Sequence, residues 1–308
     1  SDKLITNNQS LNRSKTMKFK SVGIITRSQD DSITESIHQL LTILNEYKCD
    51  VMISRECSID NANQINENEI PKTVDLLIAV GGDGTILHAA NLSHDFDLPI
   101  LGINRGQLGF LADLKPDKMQ INIRKILDGD YTEEKRMMLK AEIIKANGEL
   151  QEDRALNDIV LQRSETGRML NFTTSVSNQY INNHAGDGII IATPTGSTAY
   201  SMSCGGPIID PSLDCYVMVP ICPHTLSDRP LVLPQEKSIE LELQQNNKNK
   251  AEITIDGRSI CEFSENDKLV INKSKKETIL IHPPGYDYYE TLRTKLYWGQ
   301  DIRIKKDK

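Results

Sequence analysis

The chain has no surplus of positive charge: 36 Lys and Arg stand against 43 Asp and Glu, a net charge of −7. It therefore has no basic field to draw in a nucleic-acid backbone, and the short basic runs at 273–276 and 305–308 read as solvated ends. Cysteine is scarce and unpatterned. The six, Cys49, Cys57, Cys204, Cys215, Cys222 and Cys261, form no C-x-x-C pair and fit neither a zinc nor a disulfide framework. They read as free thiols of a reducing cytoplasm. No apolar run reaches membrane-spanning length, no signal-peptide core follows the first residues, and no internal repeat recurs. A dinucleotide fingerprint is missing as well. Residues 26–29 (TRSQ), after the first apolar run, hold no glycine, and in G-x-G-x-x-G read from Gly82 the last position is Leu87. A hydride-transferring Rossmann dehydrogenase is thereby disfavoured.

What is present suggests two domains, since 308 residues exceed what one core comfortably fills. Residues 1–16 are polar and aperiodic, an expected disordered extension, with Met17 as a natural start. Strands are expected at 22–26, 50–54, 74–80 and 99–103. Helices are expected at 34–47, from Ile86 onward and at 117–127, with a long polar loop at 55–72. This alternation implies a parallel sheet with right-handed crossovers, whose ligands bind at the carboxyl ends of the strands. After the turn at 128–130 the texture changes to short strands, at 138–146, 155–162, 171–176, 188–192, 216–221, 231–233, 238–243, 253–255, 268–271 and 278–281. Many strands and few helices indicate a sandwich. Residues 286–296 fit a closing helix. The expected architecture is a Rossmann-like α/β domain at 17–130, completed by 286–308, and a β-sandwich at 131–285.

Two loops carry candidate chemistry. Residues 187–206, DGIIIATPTGSTAYSMSCGG, run from a buried strand into a turn crowded with hydroxyls. Thr193, Thr195, Ser197 and Thr198 suit recognition of a sugar or phosphate, or else cap a helix. The other loop, Gly81-Gly82-Asp83-Gly84-Thr85, follows a buried strand where a helix begins, so its amides and the helix dipole can face a phosphate. A carboxylate there is odd unless Asp83 faces a hydroxyl that must lose its proton, faces magnesium, or simply caps the helix. Residues 102–111, GINRGQLGFL, place Phe110 either as a wall for a flat ring or as a core residue. Asn157 and Asp158 can bind ribose hydroxyls or form a turn. An acidic protein handling phosphates needs metal ions or local donors, which points to magnesium if the ligand is a nucleotide.

Together VGGDGT, LGINRGQLGFL, LNDIV, DGIIIATPTGSTAY and CPHTLSDRP, in this order, resemble the NAD kinases over residues 22–298. The resemblance implies transfer of the γ-phosphoryl of ATP, with Mg2+ or another divalent cation, to the 2′-hydroxyl of the adenosine ribose of NAD. It implies an α/β domain, a β-sandwich, a terminal helix returning to the first domain, and a homodimer or homotetramer. Asp83 would be the base, with Gly84 shaping its loop and Phe110 bordering adenine. Asn157 and Asp158 would hold ribose hydroxyls. Asp187 and the segment with Thr198, Ala199, Tyr200 and Ser203 would line the nucleotide site, with Tyr200 offering a ring to stack on. No protein metal ligand is assigned.

Asp256, in a DG turn, is a candidate near the phosphates or a plain hairpin turn. Two positions depart from the family pattern: Asp158 replaces a usual Glu, and Ala185 replaces an Arg that many members carry. Arg168 or His184 could supply the missing cation. The alternatives are a non-catalytic NAD(P)-binding sensor and a lipid kinase sharing the GGDG loop, and neither nucleic acid nor membrane is expected as a partner.

Overall fold

The apolar runs that follow Lys20 become strands of a sheet covered on both faces. The computed structural model describes residues 18–27, 31–57, 59, 63–104, 109–112, 114, 116–164, 169–245 and 250–298. Residues 1–16, Arg168 and 299–308 lie outside the described residues. The first sheet begins with β1 (Ser21–Ile25), β2 (Asp50–Ser54), β3 (Gln64–Ile65), β4 (Leu76–Val80) and β5 (Ile100–Ile103). Helices α1 (Asp31–Glu46), α2 (Asp83–Ser93) and α3 (Pro116–Leu127) alternate with them. In β4, Leu76, Ile78 and Val80 pack toward α1 and α3, while Leu77 and Ala79 join Ile86, Ala89 and Ala90 of α2. Burial on both faces is why these strands read as continuous apolar runs.

The remaining strands are β6 (Thr132–Arg136), β7 (Leu139–Ile144), β8 (Leu150–Ala155), β9 (Asp158–Arg163), β10 (Leu170–Val176) and β11 (Gln179–Gly186). Next come β12 (Gly188–Ala192), β13 (Cys215–Ile221), β14 (Leu231–Pro234) and β15 (Ile239–Leu243). The last four are β16 (Ala251–Ile255), β17 (Arg258–Phe263), β18 (Lys268–Lys273) and β19 (Thr278–His282). Helices α4 (Tyr200–Ser203) and α5 (Tyr288–Leu296) complete the elements. Two six-stranded antiparallel sheets, ordered β11-β10-β15-β18-β7-β8 and β14-β13-β12-β9-β16-β17, enclose a shared core. Leu139, Phe172 and Leu241 of one sheet meet Ile159, Ile191 and Ile253 of the other. The outer face of β12 is covered too, by Ile209 against Ile190 and Ala192, so the IIIA run is apolar throughout. Helix α5, capped by the Asp287 carboxylate accepting from Tyr289 N at 2.8 Å, borders a groove of about 470 Å³ shared with Lys118, Ile121 and Asn122 of α3. The expected return of the terminal helix to the first domain is thereby met.

Two strands cross the expected boundaries at 130 and 285. The first sheet has the order β3-β2-β1-β4-β5-β19-β6, with β19 parallel to β5 and β6 antiparallel to β19. Hydrogen bonding therefore assigns 132–136 and 278–282 to the α/β sheet rather than to the sandwich. The sequence TEEKR of β6 has no apolar alternation because it is an edge strand with Arg136 as its buried residue. Edge position also accounts for β8, β11 and β17, whose polar sequences gave no strand signal. The expected strand at 155–162 is broken at 156–157, and the loop at 55–72 contains β3 and two 3-10 turns, Arg55–Cys57 and Glu67–Lys72.

Candidate active site

Asp83 opens α2 directly after β4, with extended Gly82 preceding it. Its carboxylate reaches across to the segment after β5. Oδ2 accepts from Phe110 N at 2.9 Å, and Oδ1 accepts from Leu111 N at 3.0 Å and Ala112 N at 3.2 Å. Asp83 thus clamps a tight turn, closed by Gly109 N donating to Ala112 O at 3.0 Å. A Cβ on Gly109 would lie 2.0 Å from Asp83 Oδ1, so only glycine lets the two loops approach. A carboxylate offers about four lone-pair sites, and three amides leave one open.

A second carboxylate clamp lies in the sandwich. Asp256, at the β16–β17 turn with φ +47°, accepts from Leu156 N at 2.9 Å, Asn157 N at 2.7 Å and Asp158 N at 3.2 Å. The hairpin-turn reading of Asp256 is met, and its carboxylate also holds the Asn157–Asp158 pair. Asp158 is only 5% exposed, and burial followed by the nearby Asp256 charge pushes its carboxyl up to about 7. Burial likewise raises Asp256, against the opposing pull of its three amide bonds. The Asn157 side chain makes no hydrogen bond among the described residues, and so can address a ligand.

The hydroxyl-rich turn abuts this pair from the other side. Thr193 N donates to Asn157 O at 2.9 Å, and the Thr193 hydroxyl donates to Leu156 O. Ser197 Oγ donates to Pro194 O at 2.6 Å and accepts from Ile209 N at 2.9 Å. Thr198 Oγ1 donates to Thr195 O at 3.2 Å. All four hydroxyl residues of the turn, Thr193, Thr195, Ser197 and Thr198, are buried. The hydroxyls of Thr193, Ser197 and Thr198 satisfy the backbone of a buried turn, a need that any such turn must meet, while that of Thr195 accepts from Arg136 Nη1. The exposed positions of α4 are instead Tyr200 and Ser203. Ala199 precedes them as the residue capping both the 3-10 turn and α4.

Gly196 sits where a Cβ would lie 2.1 Å from Asn157 O and 2.4 Å from Asn157 C. Both are backbone atoms that cannot yield. Gly196→Ala should therefore push the turn off the Asn157–Asp158 pair and destabilise the fold by on the order of 2 kcal/mol. A melting temperature within one degree of wild type would refute this packing.

Between α2 and the second clamp lies a cavity of about 200 Å³, lined by Gly84, Leu87, His88 and Asn91 of α2 and by Arg27, Asp256 and Arg258. A Cβ on Gly84 would meet nothing, so this glycine keeps the cavity wall bare without answering a steric demand. Arg258 bonds both Asp153 oxygens at 3.2 Å, and Asn91 Nδ2 donates to Asp153 Oδ1 at 3.3 Å. This ties the β16–β17 hairpin to α2 and sets the cavity width. Among the described residues no three His, Cys, Asp or Glu side chains cluster as a metal cage.

Two family models match the chain: the ATP-NAD kinase N-terminal domain over residues 22–131 and the ATP-NAD kinase C-terminal domain over 156–283. The chain is 39% identical over 289 residues to an NAD kinase of Photorhabdus laumondii, covering 92% of this chain and 99% of that one. To an NAD kinase of Psychrobacter arcticus it is 38% identical over 290 residues, 91% of this chain and 89% of the relative. The chain belongs to the NAD kinase family. Solved structures share its fold. Yeast NADH kinase complexed with NADH aligns at TM-score 0.86 with 24% identity, over 93% of this chain and 90% of that one. An NAD kinase from Archaeoglobus fulgidus in complex with ATP aligns at 0.68 with 23% identity, over 90% and 97%.

Within this NAD kinase chain, not every expected residue converges. Asp83, Gly84, Phe110, Asn157, Asp158 and the turn before Tyr200 gather around the two clamps. Asp187 does not. It lies at the other end of β12, paired with Arg163 Nε at 2.9 Å, whereas Ala192 at the near end pairs with Asp158. At about 3.3 Å per residue the strand separates Asp187 from Asp158 by roughly 16 Å. Ala185 lies at that far end as well, its carbonyl accepting from His224 N at 2.8 Å. His184 is buried against Asp228, Nδ1 to Oδ2 at 3.2 Å, and stacked on Phe172, so it does not stand in for an exposed cation. The bonding of Asp256 and the buried Arg136 had no sequence signal beyond the DG turn, because both depend on strands distant in the chain.

Proposed function

We propose that this chain transfers the γ-phosphoryl of ATP to the 2′-hydroxyl of the adenosine ribose of NAD, forming NADP. The observation that carries the reading is one cavity lined both by Gly84, next to Asp83 at a helix N-terminus, and by Asp256, whose carboxylate holds Asn157 and Asp158. Asn157 and Asp158 hold ribose hydroxyls and place the acceptor oxygen toward Asp83. The one lone-pair site left on Asp83 takes the hydroxyl proton late, as the new O–P bond forms. Phe110, held by its amide to Asp83, borders the adenine, and Tyr200 stacks on the nucleotide. Donor phosphates enter beside bare Gly84, where α2 amides and the helix dipole meet negative charge. Magnesium arrives with ATP as part of the substrate and needs few protein ligands.

We place Asp187 and Ala185 at the far, nicotinamide end of an extended dinucleotide. The chain works as a homodimer or homotetramer. One side supports this: Asn182 and His184 of β11 bond Asp228 and so join β11 to the segment leading into β14. That side exposes Tyr180, Ile181, Leu226, Leu231 and Val232. The six free thiols agree with the reducing cytoplasm, and no described helix is long and apolar enough to cross a membrane.

The test is an assay with NAD, MgATP and the purified chain, reading NADP through a strictly NADP-dependent dehydrogenase. Parallel reactions replace ATP by polyphosphate and NAD by NADH, and sedimentation of the same sample reads its oligomeric state. NADP formation is expected. Folded protein that binds NAD and makes no NADP would establish the sensor reading instead, and phosphorylation of a lipid alcohol in place of NAD the lipid-kinase one.

A further inference from the structure

Arg136 is the largest fully buried side chain among the described residues, 2% exposed at the end of β6. Taking a guanidinium out of water is costly, and a buried ion pair seldom repays that cost in stability. What Arg136 holds is therefore informative. Its Nη2 donates to Glu134 Oε2 at 2.7 Å. Its Nη1 donates to Thr195 Oγ1 at 3.1 Å, the hydroxyl that opens the 3-10 turn in front of Tyr200. Its Nε finds no partner among the described residues. Glu134 is held in turn by His282 Nε2 at 3.0 Å, and His282 stacks on Tyr286 with ring centroids 3.8 Å apart. A cation based in the α/β sheet thus grips a turn that belongs to the sandwich.

The grip reaches the nucleotide site by short steps. Thr195 O accepts the Thr198 hydroxyl, and Gly196 O accepts Ala199 N at 2.9 Å. Gly196 is pressed against the backbone of Asn157. A second tie runs alongside: Tyr289 Oη of α5 donates to Asp210 Oδ2 at 2.7 Å, and neighbouring Ile209 donates to Ser197 Oγ. The turn is therefore fastened to the first domain and its terminal helix at two points.

We propose that Arg136 is a positioning residue of the nucleotide site, holding residues 195–203 against Asn157 through the Thr195 hydroxyl. Glu134 and His282 orient its guanidinium for that task. The inference rests on the NAD kinase reading for its substrate, and its test does not need turnover. The variants are Thr195→Val, Thr195→Ser, Arg136→Lys, Arg136→Met and the double variant Arg136→Met with Thr195→Val. Each is measured for NAD dissociation constant by calorimetry, amide hydrogen exchange across 195–203, melting temperature, and KM and kcat where NADP forms.

Thr195→Val keeps the shape and removes the acceptor. It should weaken NAD binding and raise its KM at least tenfold, speed exchange at 195–203, and change kcat less than threefold. Thr195→Ser should restore binding, and Arg136→Lys should recover part of it. The double variant should bind no worse than the weaker single one, because both remove one interaction. Losses that multiply in the double variant would mean that Thr195 acts on the ligand without Arg136, and would overturn the proposal. So would NAD binding within twofold of wild type in Thr195→Val, whatever its melting temperature. If wild type bound NAD and made no NADP, the kinase reading would fail while the binding and exchange results still judged Arg136.

Discussion

Asp83→Asn is expected to lower kcat at least a hundredfold while NAD binding weakens by much less. A positioned carboxylate that accepts a proton in the transition state contributes typically 10²–10⁴-fold, and an amide cannot accept that proton. The structure adds a second, smaller effect. An asparagine whose carbonyl takes the place of Oδ1 keeps Leu111 and Ala112 and turns its NH2 toward Phe110 N, donor against donor. Leaving that amide unpaired costs about 1–3 kcal/mol, so the melting temperature should fall by several degrees and Phe110 should shift. Steady-state kinetics, calorimetry with NAD and thermal melts separate the two effects. Retention of more than about a tenth of wild-type kcat, a barrier change of only ~1.4 kcal/mol, would sink the base assignment. A loss of turnover matched by an equal loss of NAD binding would instead make Asp83 a clamp alone.

Asp158→Asn should stabilise the protein above neutral pH while crippling it. Burial and Asp256 raise the Asp158 carboxyl to about 7, against about 3.9 in an unfolded chain. Between those values the folded state holds a proton that the unfolded state has lost. Wild type therefore sheds stability as pH climbs from about 4 to about 7, and above that carries an ionised carboxylate beside Asp256. The amide has nothing to titrate. Relative to wild type, Asp158→Asn should gain on the order of 4 kcal/mol at pH 8 compared with pH 4.

Activity should move the other way. Under the proposed function ionised Asp158 accepts ribose hydroxyl hydrogens, so wild-type kcat/KM for NAD should rise through a step near pH 7. In Asp158→Asn that step should vanish and kcat/KM should fall at least tenfold at pH 8. Denaturant titrations and pH profiles at both ends read this directly, and an unchanged step in the variant would remove Asp158 from the titration.

The two outcomes bear on how this site is built. Both clamps use a carboxylate to gather consecutive backbone amides from a segment remote in sequence. Asp153 and Arg258 then link the second clamp to the helix that Asp83 starts. Arg136 ties the hydroxyl-rich turn to the same α/β sheet. The two clamps and the hydroxyl-rich turn are thus tied together by side chains whose charges are largely spent within the protein.

Much of this was legible in the residues alone. A strand buried on both faces must be apolar throughout, so LLIAV and IIIA announced central strands, and a glycine loop after the first of them announced a ligand at its carboxyl end. The α/β and sandwich classes followed from local period and from turn residues, which depend on near neighbours in the chain. Tertiary structure alone decided which polar groups are spent within the protein. A hydroxyl looks the same in sequence whether it meets ribose or a backbone carbonyl, and burial of the 193–198 turn turned Thr193, Ser197 and Thr198 inward. Strand β6 was invisible because an edge strand needs only one buried residue. Asp256, Arg136 and the Arg163 partner of Asp187 take their roles from groups placed opposite them by sheet pairing, at sequence distances no local pattern encodes. The residue types set the available chemistry, and the pairing of distant strands chose which of them were left free to use it.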